Sequence, residues 1–150
     1  MSGSPARTAT GERPDLCAAC GGECCRTRPG LEEPERFLAA ADPAGALAAR
    51  LATGDWVLAG VGGVRCPRPA TVAERASGRV FTGAENSPCV YVGPAGCALP
   101  HPERPRMCRD LEPWADGDCR ALWDGREARA AWEPRQDLVA EALRRLRDAG

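Results

Sequence analysis

Four of the nine cysteines in this chain, Cys17, Cys20, Cys24 and Cys25, fall within nine residues, in the stretch CAACGGECCR. A thiolate is a soft, anionic ligand that suits zinc, Cu(I) and iron–sulfur clusters, and a two-residue gap such as Cys17 to Cys20 lets two sulfurs converge on one centre through a tight turn. Gly21 and Gly22 supply the turn that follows, and Cys24 and Cys25 both lie within the usual zinc-ligand spacing of Cys20. In an extended segment successive side chains point to opposite faces, so a vicinal pair addresses two places rather than one. The stretch therefore implies a second metal, a polynuclear cluster, or one ligand beside a spectator.

The later cysteines are more loosely spaced. Cys89, Cys97, Cys108 and Cys119 are separated by seven, ten and ten residues, with prolines and glycines between them. Such a loop-rich segment has little to bury, and a metal or cluster would pin it. Cys66, in RCPRP, reads either as a further or bridging ligand or as a buried apolar thiol, since free cysteine is among the most buried residue types. The single histidine, His101, stands between two prolines in LPHPERP. There it reads as a solvent-facing loop residue rather than a ligand or proton shuttle. Asp110, Glu112, Asp116 and Asp118 form an acidic run, either carboxylates for a hard metal or a solvated face; Arg26 and Arg28 either offset thiolate charge or are solvated.

The elements that must position these residues are short. Residues 1–14 read as a disordered tail, and 15–150 as one domain. LEEPERFLAAAD and DPAGALAARLATG predict two short helices, the second with Asp42 as cap, Pro43 at its first position, Leu47 and Leu51 on one face and Gly54 at its end. DWVLAGVGGVRC predicts a hairpin delivering Cys66 at its end, and its glycines match no phosphate-binding fingerprint. ATVAERASGRVFTGAENS reads as a polar connection with a short RVFT strand. EPRQDLVAEALRRLRDAG is an amphipathic helix with Leu138, Val139, Ala142, Leu143 and Leu146 on one face, Glu133 and Asp137 early and Arg144, Arg145 and Arg147 late. It closes the domain over Trp123 and Trp132, or presents a surface to a protein partner.

Composition narrows the choices. With 12 Leu, 8 Val, 2 Phe and no Ile, the chain has little material for a core, so a metal-dependent fold is expected. The fold class expected is a small, irregular, metal-organised α+β domain with short strands or hairpins, two or three helices and a C-terminal amphipathic helix. All 20 basic residues are arginine, yet the net charge is only -1, which leaves no global field for nucleic acid or an acidic membrane surface. The N-terminus carries no apolar secretion signal and no stretch approaches a membrane span, so a cytoplasmic location is expected. An odd cysteine count and a vicinal pair argue against a disulfide framework in that setting.

Taken together, CAACGGECCR, CVYVGPAGC, RPRMCR and GDC resemble the YkgJ-type cysteine-cluster family, described as zinc- or iron-chelating proteins. The resemblance covers residues 15–122 and rests on eight cysteines with Arg104, Pro105 and Arg109. It implies Cys17, Cys20, Cys24, Cys25, Cys89, Cys97, Cys108 and Cys119 as the metal ligands, and leaves Cys66 outside. The chain departs from the family pattern after Cys97, where Pro100 replaces an aromatic residue and one extra residue precedes Arg104. Arg104 and Arg109 would either compensate thiolate charge from the shell around the ligands or join surface ion pairs.

The leading expectation is a cysteine-ligated metalloprotein holding an iron–sulfur cluster or zinc. Related cysteine clusters occur in a flagellin lysine N-methylase, which implies a cluster-dependent protein-modifying enzyme as the alternative. The chain has no glycine-rich strand-to-helix loop of the S-adenosylmethionine type. A third alternative is a zinc-stabilised module that binds a partner through the C-terminal helix. No catalytic residue or substrate is indicated.

Overall fold

The computed structural model of the chain describes residues 29–82, 87–93, 96–112 and 120–149. In order, its elements are α1 (Glu35–Leu38), α2 (Pro43–Ala52), β1 (Trp56–Val61), β2 (Val64–Pro69), α3 (Val72–Ser77), β3 (Phe81–Thr82), β4 (Val92–Gly93) and β5 (Gly96–Cys97). There follow a 3-10 turn at His101–Glu103, α4 (Arg106–Arg109), β6 (Leu111–Glu112), β7 (Arg120–Ala121), α5 (Gly125–Trp132), a 3-10 turn at Glu133–Arg135 and α6 (Gln136–Ala149). The small α+β class, the hairpin and the C-terminal helix are as the sequence implies. Among the described residues no helix is long and apolar enough to cross a membrane.

The hairpin turns on Gly62 and Gly63, whose φ angles of 58° and 84° suit the two-residue turn that matches strand twist. Pairing runs antiparallel from Val61 with Val64 to Trp56 with Pro69, and β3 adds a parallel edge beside β1. Alternating from the closing Val61–Val64 pair, Pro67 and Pro69 fall at positions whose backbone nitrogens face away from β1, so neither proline removes a ladder bond. Cys66 lies opposite Ala59 in mid-strand rather than at the strand's end.

The outer edge of β2 is covered by two side-chain and backbone devices. Gln136, at the start of α6, accepts from the Arg65 N–H and donates to the Arg65 carbonyl, both at 3.1 Å. The Glu32 N–H donates to the Pro67 carbonyl at 2.9 Å. An exposed strand edge is thereby closed to further pairing.

α2 forms as its sequence implies: the Asp42 carboxylate accepts from the Gly45 N–H at 3.2 Å, Pro43 opens the helix, and Leu47 and Leu51 are buried. Three helices, α3, α4 and α5, fall where the sequence implies connections, so the described residues hold six helices against the two or three, with a C-terminal one, that are expected. In α3, Thr71 and Glu74 complete a reciprocal capping box, and Gly78 ends the helix at φ 72°. In α5, Asp124 accepts from the Arg126 and Glu127 N–H groups at 2.9 and 3.3 Å.

α2, α5 and α6 enclose the hairpin around Leu47, Leu51, Trp56, Leu58, Val64, Cys66, Trp132, Val139 and Ala142. Trp132 is fully buried, its ring tilted against Phe37 at 6.0 Å and its indole N–H donating to the Glu32 carbonyl at 2.7 Å. Tryptophans thus supply bulk that the scarce aliphatic residues do not. α6 directs Val139 and Ala142 into this core, with Leu138, Leu143 and Leu146 packed at its margin, so its apolar face is used within the chain.

Candidate functional site

The segment Gly30–Glu33 and the helix α4 meet at Cys108. α4 starts after Pro105, which has no side chain able to cap the first turn, and two groups from far along the chain take that role. The Glu32 carboxylate accepts from the Arg106 N–H at 2.9 Å, and the Leu31 carbonyl accepts from the Met107 N–H at 3.1 Å. Free N–H groups of a helix start need such acceptors. At Gly30 the approach is closer still: a Cβ there would stand 2.5 Å from the Cys108 Sγ and 3.2 Å from the Met107 Cβ. Any side chain at position 30 would push the Cys108 sulfur from its place.

Glu32 is fully buried and is the hub of the region. Its carboxylate accepts from the Glu33 N–H at 2.9 Å and the Arg36 Nε at 2.6 Å as well as from Arg106, while its backbone joins β2 and Trp132. A buried carboxylate is tolerated when its oxygens are met in this way. Sequence reading passed over Glu32, because an acidic pair ahead of a helix looks like solvated charge.

Glu33 pairs with both arginines of α4, with Arg106 Nη1 at 2.9 Å and with Arg109 Nη2. Burial alone would raise its pKa, but the hydrogen bonds from Arg109 and Arg106 outweigh that and hold it below the usual glutamate value. Arg109 also donates to the Arg104 carbonyl at 2.9 Å, and Arg104 donates to the Leu99 carbonyl at 2.9 Å. These two arginines therefore tie the loop after Cys97 to the helix carrying Cys108 and to Glu33. The carboxylate of Asp110, from the acidic run, is engaged by Arg106, whose guanidinium lies 5.3 Å from the Trp123 ring centre. His101 is half-buried, its Nε2 3.2 Å from the Arg109 carbonyl.

Of the eight candidate ligands, Cys89, Cys97 and Cys108 can be placed. Cys89 is buried and bridges to Thr71, with the Val90 N–H donating to the Ala70 carbonyl at 3.0 Å. Cys97 is half-buried and pairs with Val92 across β4 and β5, and Cys108 is half-buried in α4. Among the described residues, no three His, Cys, Asp or Glu side chains converge to hold a metal ion. Cys17, Cys20, Cys24, Cys25 and Cys119 lie outside the described residues, as do Asp116, Asp118 and the tail 1–14.

Cys66 is a core residue. It is fully buried in β2, with its thiol 3.8 Å from the Val64 carbonyl, and burial pushes its pKa up to about 12. Of the two roles open to it in the sequence, the geometry fits the apolar one.

Compared with known protein families, curated proteins and solved structures, the chain matches none.

Proposed function

We propose that this chain is a cysteine-ligated metal-binding protein of the YkgJ-type cysteine-cluster kind, holding an iron–sulfur cluster or zinc. The ligands in this reading are Cys17, Cys20, Cys24, Cys25, Cys89, Cys97, Cys108 and Cys119, and Cys66 is not among them. The observation that supports it is the dock of Gly30–Glu33 on α4, where the Gly30 backbone lies against the Cys108 sulfur. Gly30 is five residues along the chain from Cys25, so the segment that follows the densest cysteine cluster is fastened beside a later cysteine of the set. A side chain at position 30 would displace the Cys108 sulfur, and Glu32 holds the segment by five hydrogen bonds to other segments and to Glu33.

Thiolates gathered in this way supply anionic, soft donors, and the bound metal would cross-link segments that bury little of their own surface. Arg104 and Arg109 act in this reading through position: their donors hold the Leu99 and Arg104 carbonyls and Glu33, fixing the loops that carry Cys97 and Cys108. Reduced thiols of this number suit a cytoplasmic setting, which belongs to the same proposal.

The test is metal and acid-labile sulfide analysis, with a visible absorption spectrum, on full-length chain purified without oxygen. Iron with sulfide and a brown chromophore, or colourless protein with stoichiometric zinc, is the expected outcome. Protein that is folded, fully reduced and free of both metals would overturn the proposal.

A further inference from the structure

A cleft of about 480 Å³ opens between α2, the start of β1 and the loops around Tyr91 and Glu103, and among the described residues no cysteine lines it. Its volume falls in the range of small-molecule sites, which combine apolar walls with a few placed polar groups. Ala46, Ala49, Tyr91 and Leu99 form such walls, and two arginines face the space, Arg36 and Arg50.

The two arginines differ in what they already hold. Arg36 donates from Nε to Glu32 at 2.6 Å and from Nη2 to the Pro102 and Arg104 carbonyls at 3.0 and 2.8 Å, so its charge is already paired and two of its three nitrogens are engaged. Arg50 has no hydrogen-bond acceptor and no ion-pair partner among the described residues. Its guanidinium instead lies over two aromatic rings, 4.8 Å from the centre of Trp56 and 5.7 Å from that of Phe37. The two rings attract the charge without accepting its N–H hydrogens, which leaves the guanidinium fork able to meet a carboxylate with two parallel bonds. Burial and the neighbouring Arg36 charge lower the Arg50 pKa, and the carboxylates of Glu32 and Glu103 offset this only in part.

A second donor lies on the same wall. The Tyr91 hydroxyl accepts from the Trp56 indole N–H at 3.1 Å, and burial raises the Tyr91 pKa, so the phenol keeps its own proton to donate. The acids of the cleft set the ligand's charge. Asp55 is paired with Arg75 at 3.2 Å, while Glu103 is exposed at the rim. One unpaired cation facing one unpaired carboxylate favours a singly charged anion over a doubly charged phosphate.

We propose that this cleft binds a small organic monocarboxylate, its carboxylate on Arg50 and its apolar or planar body against Tyr91, Ala49 and Leu99. Among the described residues the cleft shares no side chain with Cys89, Cys97 or Cys108, and its test reads carboxylate binding rather than metal content.

The experiment is a titration of full-length, uniformly 15N-labelled protein with benzoate, following the Trp56 indole N–H and the Arg50 Nε–H by NMR. Benzamide, the neutral isostere, and inorganic phosphate are the comparison probes. Saturable shifts of both signals with benzoate, and much weaker ones with the other two, are expected. Arg50→Gln should weaken binding by about ten-fold or more while Tyr91→Phe weakens it less. Glu103→Gln alters only an exposed rim charge, keeps the fold, and should tighten binding by about two-fold. The proposal is overturned if benzoate produces no saturable shift, if benzamide or phosphate binds as well, or if Glu103→Gln leaves the affinity of the folded protein unchanged.

Discussion

Glu32 and Cys66 show how far a residue's type is from its role. A glutamate is among the residues least often buried, yet Glu32 is fully enclosed because every direction around its carboxylate offers an N–H. Replacing it with Ala would leave the Arg36 Nε and the backbone N–H groups of Glu33 and Arg106 without their acceptor inside the protein. We expect a loss of about 3 kcal/mol, measured by urea unfolding, against much less for the exposed Glu127→Ala. Cys66 is the reverse case, a chemically versatile residue put to apolar use. Its raised pKa means that folding holds the thiol neutral, so this contribution to stability is present at pH 7 and is lost as pH rises from 9 toward 12. Native protein should leave Cys66 unlabelled by iodoacetamide at pH 8, and the same thiol should label on unfolding. Labelling in the native state at the unfolded rate would contradict its place in the core. Nothing in RCPRP separates the two roles of Cys66, because a thiol's burial depends on Ala59 opposite and on the helices above.

At the scale of elements, α2, the hairpin and α6 were legible because each carries its own punctuation: Asp42 and Pro43, the Gly62–Gly63 turn, and a heptad-like apolar stripe. α3 was signalled too, by the Thr71-to-Glu74 spacing of a capping box, but its short length and polar surface masked it. Its stability rests on Glu74, which meets both Arg68 nitrogens at 2.9 Å and the Thr71 N–H at 2.9 Å. Burial works to raise the Glu74 pKa, and the Arg68 and Thr71 bonds reverse that and lower it below its ordinary 4.5. A carboxylate with a depressed folded pKa stabilises the protein above the unfolded value, and that stabilisation is lost as pH falls through the folded value. Unfolding free energy measured between pH 6 and pH 3 should therefore decline, and Glu74→Gln should flatten part of that decline while lowering stability at pH 6 by about 2 kcal/mol. An unchanged slope in the variant would show that other carboxylates carry the acid sensitivity. α4 was hidden for a different reason, since its cap comes from Leu31 and Glu32, more than seventy residues away.

For the whole molecule, aliphatic content suggested a fold with little core, yet Trp56, Trp123 and Trp132 join Leu47, Leu51 and Leu58 in a continuous one. That core draws on the helices and the hairpin, whereas Cys89, Cys97 and Cys108 sit in short strands, turns and a single-turn helix at its margin. Under the metal-binding proposal the two parts respond differently to metal removal. Chelation should leave the near-ultraviolet circular dichroism of the buried tryptophans largely intact while hydrogen exchange of amides 97–109 accelerates; simultaneous loss of both signals would mean that the metal organises the core as well. The cysteine spacing suggests a metal centre only as chemistry; under the metal-binding proposal its geometry would depend on loops far apart in sequence, brought near one another by contacts such as Gly30 on Cys108.

The most direct measurement is the metal-to-chain ratio of Cys108→Ser beside Cys66→Ala, both prepared anaerobically with the parent protein. If Cys108 is a ligand and Cys66 a core residue, Cys108→Ser holds well below the parent's metal content and Cys66→Ala holds the same amount. Equal content in all three, or loss confined to Cys66→Ala, would contradict those roles.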